Sequence, residues 1–539
     1  MNNIYKTLGV AFIISTMLFS CNKVLDTTPQ DFLPSDQYFK TESDLDAALA
    51  GVYASLAQDG TFSRYLPIEL EMGNDEGHFN NRNNKHTVPS IYDCQSSTKI
   101  YSDCWTALYA GIGRANLLLE NLDKADVSDA VKRNVRGEAL FLRAFNYFQL
   151  VTRFGPVPLV LNANTQVGNT NIARTPDSLI YKQILLDMKT ADTLVKKVTE
   201  ITCGTRVSQT VVEGIIARVY LKMAGNPLRM GNAAYDSART YALKVIGSGL
   251  HSLNPDYRQI FINHSQDKYD NVYRESMWEI EFIGNNTPQD AVPPGSRFAC
   301  QLAQRYAGSD PDPMIIYGYG SYVPSGVLYE MYNNPFNPNL ANKENNDTIR
   351  RNWNLPEYTY CESCTPRSTS SCAGVKTYER DCGKWKRDYE TFIPKQRDWG
   401  PTNFPILRYA DVLLMAAEAE NEVNGPLNAV KYINQVRARA KADTVRFASS
   451  QTTFRNYLRE ERARELCFEG LRKFDLIRWG IFLDRMRLTG QKIIESDATS
   501  THKNRFVEAY DNVSERDTLL PIPSSEISVN PLMTQNSGW

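Results

Sequence analysis

Glu69, Glu71, Asp75 and Glu76 crowd four carboxylates into one short stretch. Paired carboxylates are the groups that hydrolyse a glycosidic bond, one as acid and the other as base or nucleophile. Close carboxylates are also frequent on solvated loops, and a solvated acidic loop is the plainer expectation here. Cys361, Cys364, Cys372 and Cys382 form a second cluster. As thiolates they offer a four-ligand zinc set opening with Cys-x-x-Cys. In an exported chain they read as two local disulfides, since the later spacings are unlike paired Cys-x-x-Cys knuckles. Cys94 and Cys104 are a further candidate pair, whereas Cys467, between Leu466 and Phe468, reads as a buried free thiol. Asp310 and Asp312 carry oxygen ligands for calcium without the regular spacing of a binding loop. None of the five histidines (His78, His86, His251, His264 and His502) sits in a His-Glu-x-x-His, and no Gly-x-Ser-x-Gly or phosphate-cradling glycine loop occurs. The expectation is a chain that is not an enzyme and holds no cofactor or resident metal.

Binding chemistry is better represented. Sugars present hydroxyl edges and weakly polar C–H faces, so a receptor needs flat aromatic rings beside amide, carboxylate or guanidinium partners. Asn80, Asn81, Arg82, Asn83 and Asn84 supply the polar groups, and a middle segment rich in Tyr and Trp supplies the rings. The candidate ligand-binding residues are Asn80, Asn81, Arg82, Asn84, Tyr317, Tyr319, Tyr322 and Trp353. Their plain alternatives are a polar turn for the Asn run and core anchors for the aromatics, whose rings bury large area while keeping a polar tip.

These residues must be positioned by helices. Ser43 and Asp44 open an alanine-rich stretch to Leu56. From Trp105, the residues Leu108, Tyr109, Ile112, Ala115 and Leu119 recur three or four apart on one helical face. A second periodic segment, about 131–151, stops before Gly155-Pro156, and the two read as a helical hairpin. Further helices are expected at about 176–198, 208–223, 232–247, 407–423, 426–440, 452–469 and 472–486. Between about 250 and 405 Gly, Pro, Asn, Tyr and Trp replace helical periodicity, marking loop-rich excursions on a helical frame, where recognition concentrates. Within the late helices, Glu460 and Arg464 stand four apart on one face, and Arg472, Asp475 and Arg478 have the spacing for an ionic network around Trp479.

The first 20 residues combine Lys6 with an apolar run from Leu8 to Phe19, the pattern of a signal peptide too short to span a membrane. Leu18-Phe19-Ser20-Cys21 resembles the lipobox of bacterial lipoproteins, which implies cleavage before Cys21 and acylation of that cysteine. Several acyl chains hold a protein on a membrane where one does not. Residues 21–40 then read as a lipidated polar tether with Pro29 and Pro34. A net charge of −1 over 539 residues leaves no electrostatic case for nucleic acid. Apolar residues at 42% exclude intrinsic disorder.

Five ordered blocks carry a family resemblance: Leu25-Asp26-Thr27-Thr28-Pro29; Gly111-Ile112-Gly113-Arg114-Ala115-Asn116; Gly137 through Phe148 with Phe154-Gly155-Pro156-Val157-Pro158-Leu159; Leu407 through Ala419 with Ile433 through Arg437; and Glu461 through Leu466, followed by Phe468-Glu469-Gly470 and Asp475 through Gly480. The closing Leu520-Pro521-Ile522-Pro523 agrees with them. On these residues the chain resembles the SusD/RagB family of outer-membrane nutrient-binding lipoproteins. The resemblance implies a mostly α, SusD-like fold in which tetratricopeptide-like hairpins, mainly within 41–249 and 406–490 of a single domain at 41–539, support a loop-rich binding portion at 250–405. It further implies a cell-surface protein, lipid-anchored in the outer membrane, that captures glycan and delivers it to a SusC-type TonB-dependent transporter. Peptide capture within the same system and a surface glycoside hydrolase are the alternatives.

Overall fold

The computed structural model describes residues 38–80, 88–163, 171–282, 284, 295–307, 318–333, 347–361, 376–393, 395–445 and 450–539. The signal, most of the tether including Cys21, Asn81 through Asn84, Asp310, Asp312, Tyr317, Cys364, Cys372 and the side chain of Cys361 lie outside them.

The first described helix opens on a capping box. The Thr41 hydroxyl accepts from Asp44 N at 3.2 Å and the Asp44 carboxylate accepts from Thr41 N at 2.9 Å, starting α1 (Glu42–Tyr53). Next come α2 (Lys99–Asn121), which starts ahead of the Trp105 periodicity, and α3 (Asp129–Phe154), which stops at Gly155, φ +70°. Then follow α4 (Asp177–Asp192), α5 (Gln209–Ala224), α6 (Asn232–Gly247), α7 (Tyr257–Ser265), α8 (Phe298–Leu302), α9 (Gly326–Asn333) and α10 (Thr348–Asn354). The later helices are α11 (Tyr409–Asn424), α12 (Pro426–Arg439), α13 (Gln451–Leu466), α14 (Arg472–Arg478), α15 (Phe482–Glu495), α16 (Ser500–Phe506), α17 (Glu508–Asn512) and α18 (Ser524–Val529). Helix α2 packs on α3, α3 on α4, α5 on α6, and α11 on both α12 and α6. Helix α5 is buried on all sides because α4, α6, α11 and two strands surround it, which accounts for its unbroken Val-Val-Glu-Gly-Ile-Ile-Ala run.

The expected helix over 472–486 is two helices. Gly480, at φ +70°, turns the chain between α14 and α15, and a Cβ there would meet Asn226 Nδ2 at 2.7 Å.

The 250–405 portion is less irregular than its composition suggests. Among the described residues three two-stranded sheets stitch it together. Strand β1 (Gly77–Phe79) pairs antiparallel with β4 (Tyr322–Pro324), β2 (Ser276–Ile280) antiparallel with β6 (Phe404–Arg408), and β3 (Tyr306–Ala307) parallel with β5 (Tyr360–Cys361). Two buried hydrophobic clusters result. One runs through the helices from Phe39 to Met533, and a smaller one surrounds Leu476, Phe482, Met486 and Tyr510.

Helix α13 is the ionic centre of the molecule. Glu461 accepts from Arg350 at 2.8 Å, Arg437 at 2.6 Å and Arg464 at 3.0 Å. Glu465 accepts from Arg350 at 2.8 Å, Arg408 at 3.0 Å and Arg439 at 2.5 Å. On the other side of the helix, Arg462 reaches Asp411 at 2.7 Å and Asp475 at 2.6 Å, and Arg478 joins Asp475 to Glu418. This network ties the helical half to α10 and β6. Removing one member of such a buried set costs about 3–5 kcal/mol, because its partners stay charged in the interior. The expected network around Trp479 is present in part: Asp475 and Arg478 pair, but Arg472 turns away to Asp75 at 2.7 Å. Trp479 is instead braced by the Arg478, Arg459 and Arg472 guanidiniums at 4.8, 5.2 and 5.8 Å and donates to Glu418 at 2.8 Å.

Candidate functional site

The acidic run is not a solvated loop. Asp75 and Glu76 are buried, as are Glu69 and Glu71. Arg472 and Arg485 clasp Asp75 at 2.7 and 2.9 Å, Arg153 holds Glu71 at 2.8 Å, and Arg64 holds Glu69 at 2.6 Å. Burial alone would raise the Asp75 carboxyl, but the two guanidiniums hold it down at about 2. Glu76 accepts from Phe468 N at 3.2 Å, and burial pushes its carboxyl up to about 8. Asp75 thereby braces α14 and α15 against the N-terminal half. Among the described residues, no three His, Cys, Asp or Glu side chains converge as metal ligands.

The expected Cys94–Cys104 bridge is not formed. The two thiols are buried in separate surroundings, Cys94 by Thr98 and Tyr101, Cys104 by Arg153 and Glu71; burial pushes them up to about 11 and about 12. Cys382, one of the four expected to form the disulfide staple, is also a free thiol, packed in the core with its Sγ 3.5 Å from the Tyr322 carbonyl. Cys467 is a buried free thiol.

The β1–β4 pair brings two of the sequence candidates together. Phe79 stands opposite Tyr322, and Asn80 N donates to Ser321 O at 2.7 Å. Asn80 therefore lies beside the chain that carries Tyr319. Gly77 permits this approach, since a Cβ there would meet Val323 O at 2.9 Å. Tyr322 itself is not available as a platform. It is 1% exposed, its ring lies 5.0 Å from that of Phe79, and its hydroxyl bonds Ser90 at 3.0 Å.

Tyr319 remains half-buried at the surface. Its N–H donates to Cys300 O at 2.9 Å, its hydroxyl donates to the Asp398 carboxylate, and Arg397 Nε donates back to that hydroxyl at 3.1 Å. The Arg397 guanidinium also lies 5.3 Å from the Tyr319 ring centroid. Burial, with Asp398 as acceptor, pushes the phenol up to about 12, so it stays a donor. Next along the chain Trp399, half-buried, carries Arg297 at 4.7 Å over its ring, and Arg297 pairs with Asp59 at 3.1 Å. Two aromatic rings thus stand among two guanidiniums and two carboxylates. Arg297, Arg397, Asp398 and Trp399 were not among the sequence candidates. The legible signal was Arg397-Asp398-Trp399 ahead of Gly400-Pro401, a polar-aromatic run at a turn.

Trp353 lies in a separate, open cleft of about 390 Å³. It is 8% exposed on α10, donates to Lys384 O at 3.0 Å, and presents its remaining edge beside Tyr389, 6.0 Å away. Lys386 sits 4.7 Å over Trp353 and 5.4 Å over Tyr358, and burial lowers its ammonium to about 8. Arg258, Asn352 and Asp388 complete the polar lining. One segment joins this cleft to the Tyr319 surface: Gly320 N donates to Ala303 O at 3.1 Å, while Gln304 Nε2 donates to Tyr358 O at 2.7 Å and Gln304 Oε1 accepts from Lys386 at 3.3 Å.

A mostly helical frame of packed pairs with an aromatic and polar surface on its strand-stitched half defines a ligand-binding class of protein. Comparison with known proteins gives the family. The SusD family model matches residues 274–539, and a second, described as starch-binding associating with outer membrane, matches residues 23–221; between them they take in well over half of the chain. The chain belongs to the SusD/RagB family of outer-membrane proteins. It is 25% identical to a SusD-like protein, P25, of Formosa agariphila over 96% of this chain and 95% of that one. It is likewise 25% identical to the starch-binding protein SusD of Bacteroides thetaiotaomicron over 84% and 81% of the respective chains. The crystal structure of a SusD homolog from Bacteroides thetaiotaomicron superposes with a TM-score of 0.82 at 24% identity, covering 94% of this chain and 98% of that one.

Proposed function

We propose that this protein is a cell-surface lipoprotein that captures oligosaccharide or polysaccharide and passes it to a SusC-type TonB-dependent transporter. The observation that carries the reading is the surface where Tyr319 and Trp399 stand among Arg397, Asp398, Arg297 and Asp59, beside Asn80 at the end of β1. Rings offer a face for sugar C–H groups, and charged side chains offer strong donors and acceptors for hydroxyls. Asn81, Arg82, Asn84 and Tyr317 belong to the same proposed site, and the Trp353 cleft is its second subsite. Membership of the family and the starch-binding relative support glycan as the ligand class. The carboxylates that would have served a hydrolase are instead ion-paired or buried in the interior, so binding without turnover is the consistent reading.

Acylated Cys21 and the tether at 21–40 would hold the body at the outer membrane facing outward, and the stacked helical pairs are read as tetratricopeptide-like. Calorimetric titration of the mature protein with neutral oligosaccharide and peptide pools tests the ligand class. Micromolar binding by a glycan pool, weakened about tenfold in Trp399→Ala, is expected; glycan silence with peptide binding would replace glycan by peptide. Mass spectrometry of the membrane-extracted protein checks the acyl chains on Cys21, and its co-purification with a β-barrel transporter checks the partner.

A further inference from the structure

Away from the aromatic surface, a cleft of about 720 Å³ opens between the C-terminal end of α3, the turn after α5, and α15. Behind it lies a narrow inner chamber with about 20 Å³ of free space. Thr152, Lys222, Ile477 and Thr518 line both, so the two spaces meet at the Lys222 side chain. Gly225 lets the end of α5 close against α14, since a Cβ there would strike Arg478 O at 2.1 Å.

Lys222 is 2% exposed. Its ammonium rests 5.1 Å over the Phe474 ring and makes no hydrogen bond or ion pair with any described residue. The neighbouring acids are already taken: Glu71 by Arg153 at 2.8 Å, Asp475 by Arg462 and Arg478, and Asp517 by Ser514 N at 2.8 Å. Arg153 lines the same chamber, and its Nε is buried without an acceptor. Lys473 adds a further positive charge, over the Tyr92 ring at 4.8 Å. The Thr152 and Thr518 hydroxyl protons are committed to the Phe148 and Glu515 carbonyls, at 2.7 and 2.9 Å. Two unmatched cationic donors, Lys222 Nζ and Arg153 Nε, thus face one chamber entered from a cleft of ligand size. A buried cation without an acceptor is costly unless something supplies one.

We propose that this chamber is an oxyanion site in which Lys222 and Arg153 hold one carboxylate or sulfate group entering through the outer cleft. Most of the charge is met internally, which suits a singly charged group better than a phosphate dianion. Apolar walls from Phe474, Ile477 and Leu520 suit an oxyanion carried on a larger body, such as an acidic saccharide. The site is distinct from the neutral-glycan surface at Tyr319 and does not depend on it.

The test is calorimetric titration of the mature full-length protein at pH 6.0 and low salt with trigalacturonate, its methyl ester, sodium acetate and sodium sulfate. At least one oxyanion probe should bind tenfold or more tightly than the ester, and Lys222→Met should remove that preference while leaving neutral-oligosaccharide affinity unchanged. Trigalacturonate well above the salts names a saccharide-borne group; salts binding equally well name a free ion. Silence toward every oxyanion, or a preference that survives Lys222→Met, overturns the site. A second readout needs no variant. Burial and the Arg478 charge lower the Lys222 ammonium to about 7, so binding at pH 8 should take up most of a proton, measured across buffers of different ionisation enthalpy. The groups facing Lys222 are Glu71, Arg153, Lys473, Asp475, Arg478 and Asp517. Binding with no proton uptake at pH 8 would overturn the assignment to Lys222.

Discussion

On α13, Arg462 and Arg464 keep 3% and 1% of their side chains in solvent, and each meets two carboxylates. At the aromatic surface, Arg297 keeps 24% in solvent, Arg397 is exposed, and both lie over rings. The same residue type serves two ends. Where guanidiniums are dry and paired with buried carboxylates they lock elements together; where they lie half-wet over rings at the surface they can meet a ligand. The test of this contrast is that substitutions in the first region should damage folding and those in the second should damage binding.

The largest effect is expected at Glu461. Glu461→Ala takes one buried carboxylate from each of Arg350, Arg437 and Arg464 and should cost about 3–5 kcal/mol in urea unfolding. A cost under about 1 kcal/mol would mean that the buried network is not what joins the two halves.

Acid should reach the same region through Asp75 and Asp411. For both, burial alone would raise the carboxyl, but the arginine partners hold it at about 2 in the folded protein, below the usual Asp value. Groups depressed on folding add stability above about pH 4 and lose it as pH falls through their folded values; for Asp75 the loss is on the order of 2 kcal/mol. Glu76 runs the other way. Burial raises it to about 8, so its contribution is full below about pH 4 and declines as pH rises toward 8. The urea midpoint measured against pH should fall on both sides, and Glu76→Gln should flatten the upper limb while Asp75→Asn flattens the lower.

Trp399→Ala supplies the opposing half of the contrast. A tenfold loss of glycan affinity, about 1.4 kcal/mol, with an unchanged unfolding midpoint is expected from calorimetry and urea titration. Destabilisation on the scale of Glu461→Ala would erase the distinction between the regions.

How far each region was legible follows from the same physics. Helices with strong periodicity and punctuating glycines, such as α3 before Gly155 and α12 after Gly425-Pro426, could be read to within a few residues. The break at Gly480 could not, because its cause is a left-handed backbone packed against Asn226, 254 positions earlier in the chain. Asp75 and Glu76 looked like a solvated loop for a similar reason: Arg472, Arg485 and Phe468 N, which burial brings to them, are about 400 residues away. At the candidate site, Tyr319 was legible as a surface aromatic, but Tyr322 was indistinguishable from it until β1–β4 pairing turned its ring inward. Strands of two or three residues leave no periodicity to detect, so the sheets that assemble the site stayed hidden.

The smallest effect is expected one residue from the largest. Glu460 pairs with Arg464 at 3.2 Å, and its side chain is 34% exposed where Glu461 is fully buried. Both carboxylates meet the same guanidinium, so sequence spacing ranks them alike. Solvent separates them: water can replace Glu460, and Arg464 still keeps Glu461 and the Met331 carbonyl at 2.7 Å. Glu460→Ala should therefore cost a few tenths of a kcal/mol, about the worth of an exposed i,i+4 pair. Measured beside Glu461→Ala in one urea series, a ratio near ten would show that burial sets the worth of each carboxylate. Comparable losses would mean that Arg464 depends on both partners and that the network extends to the surface.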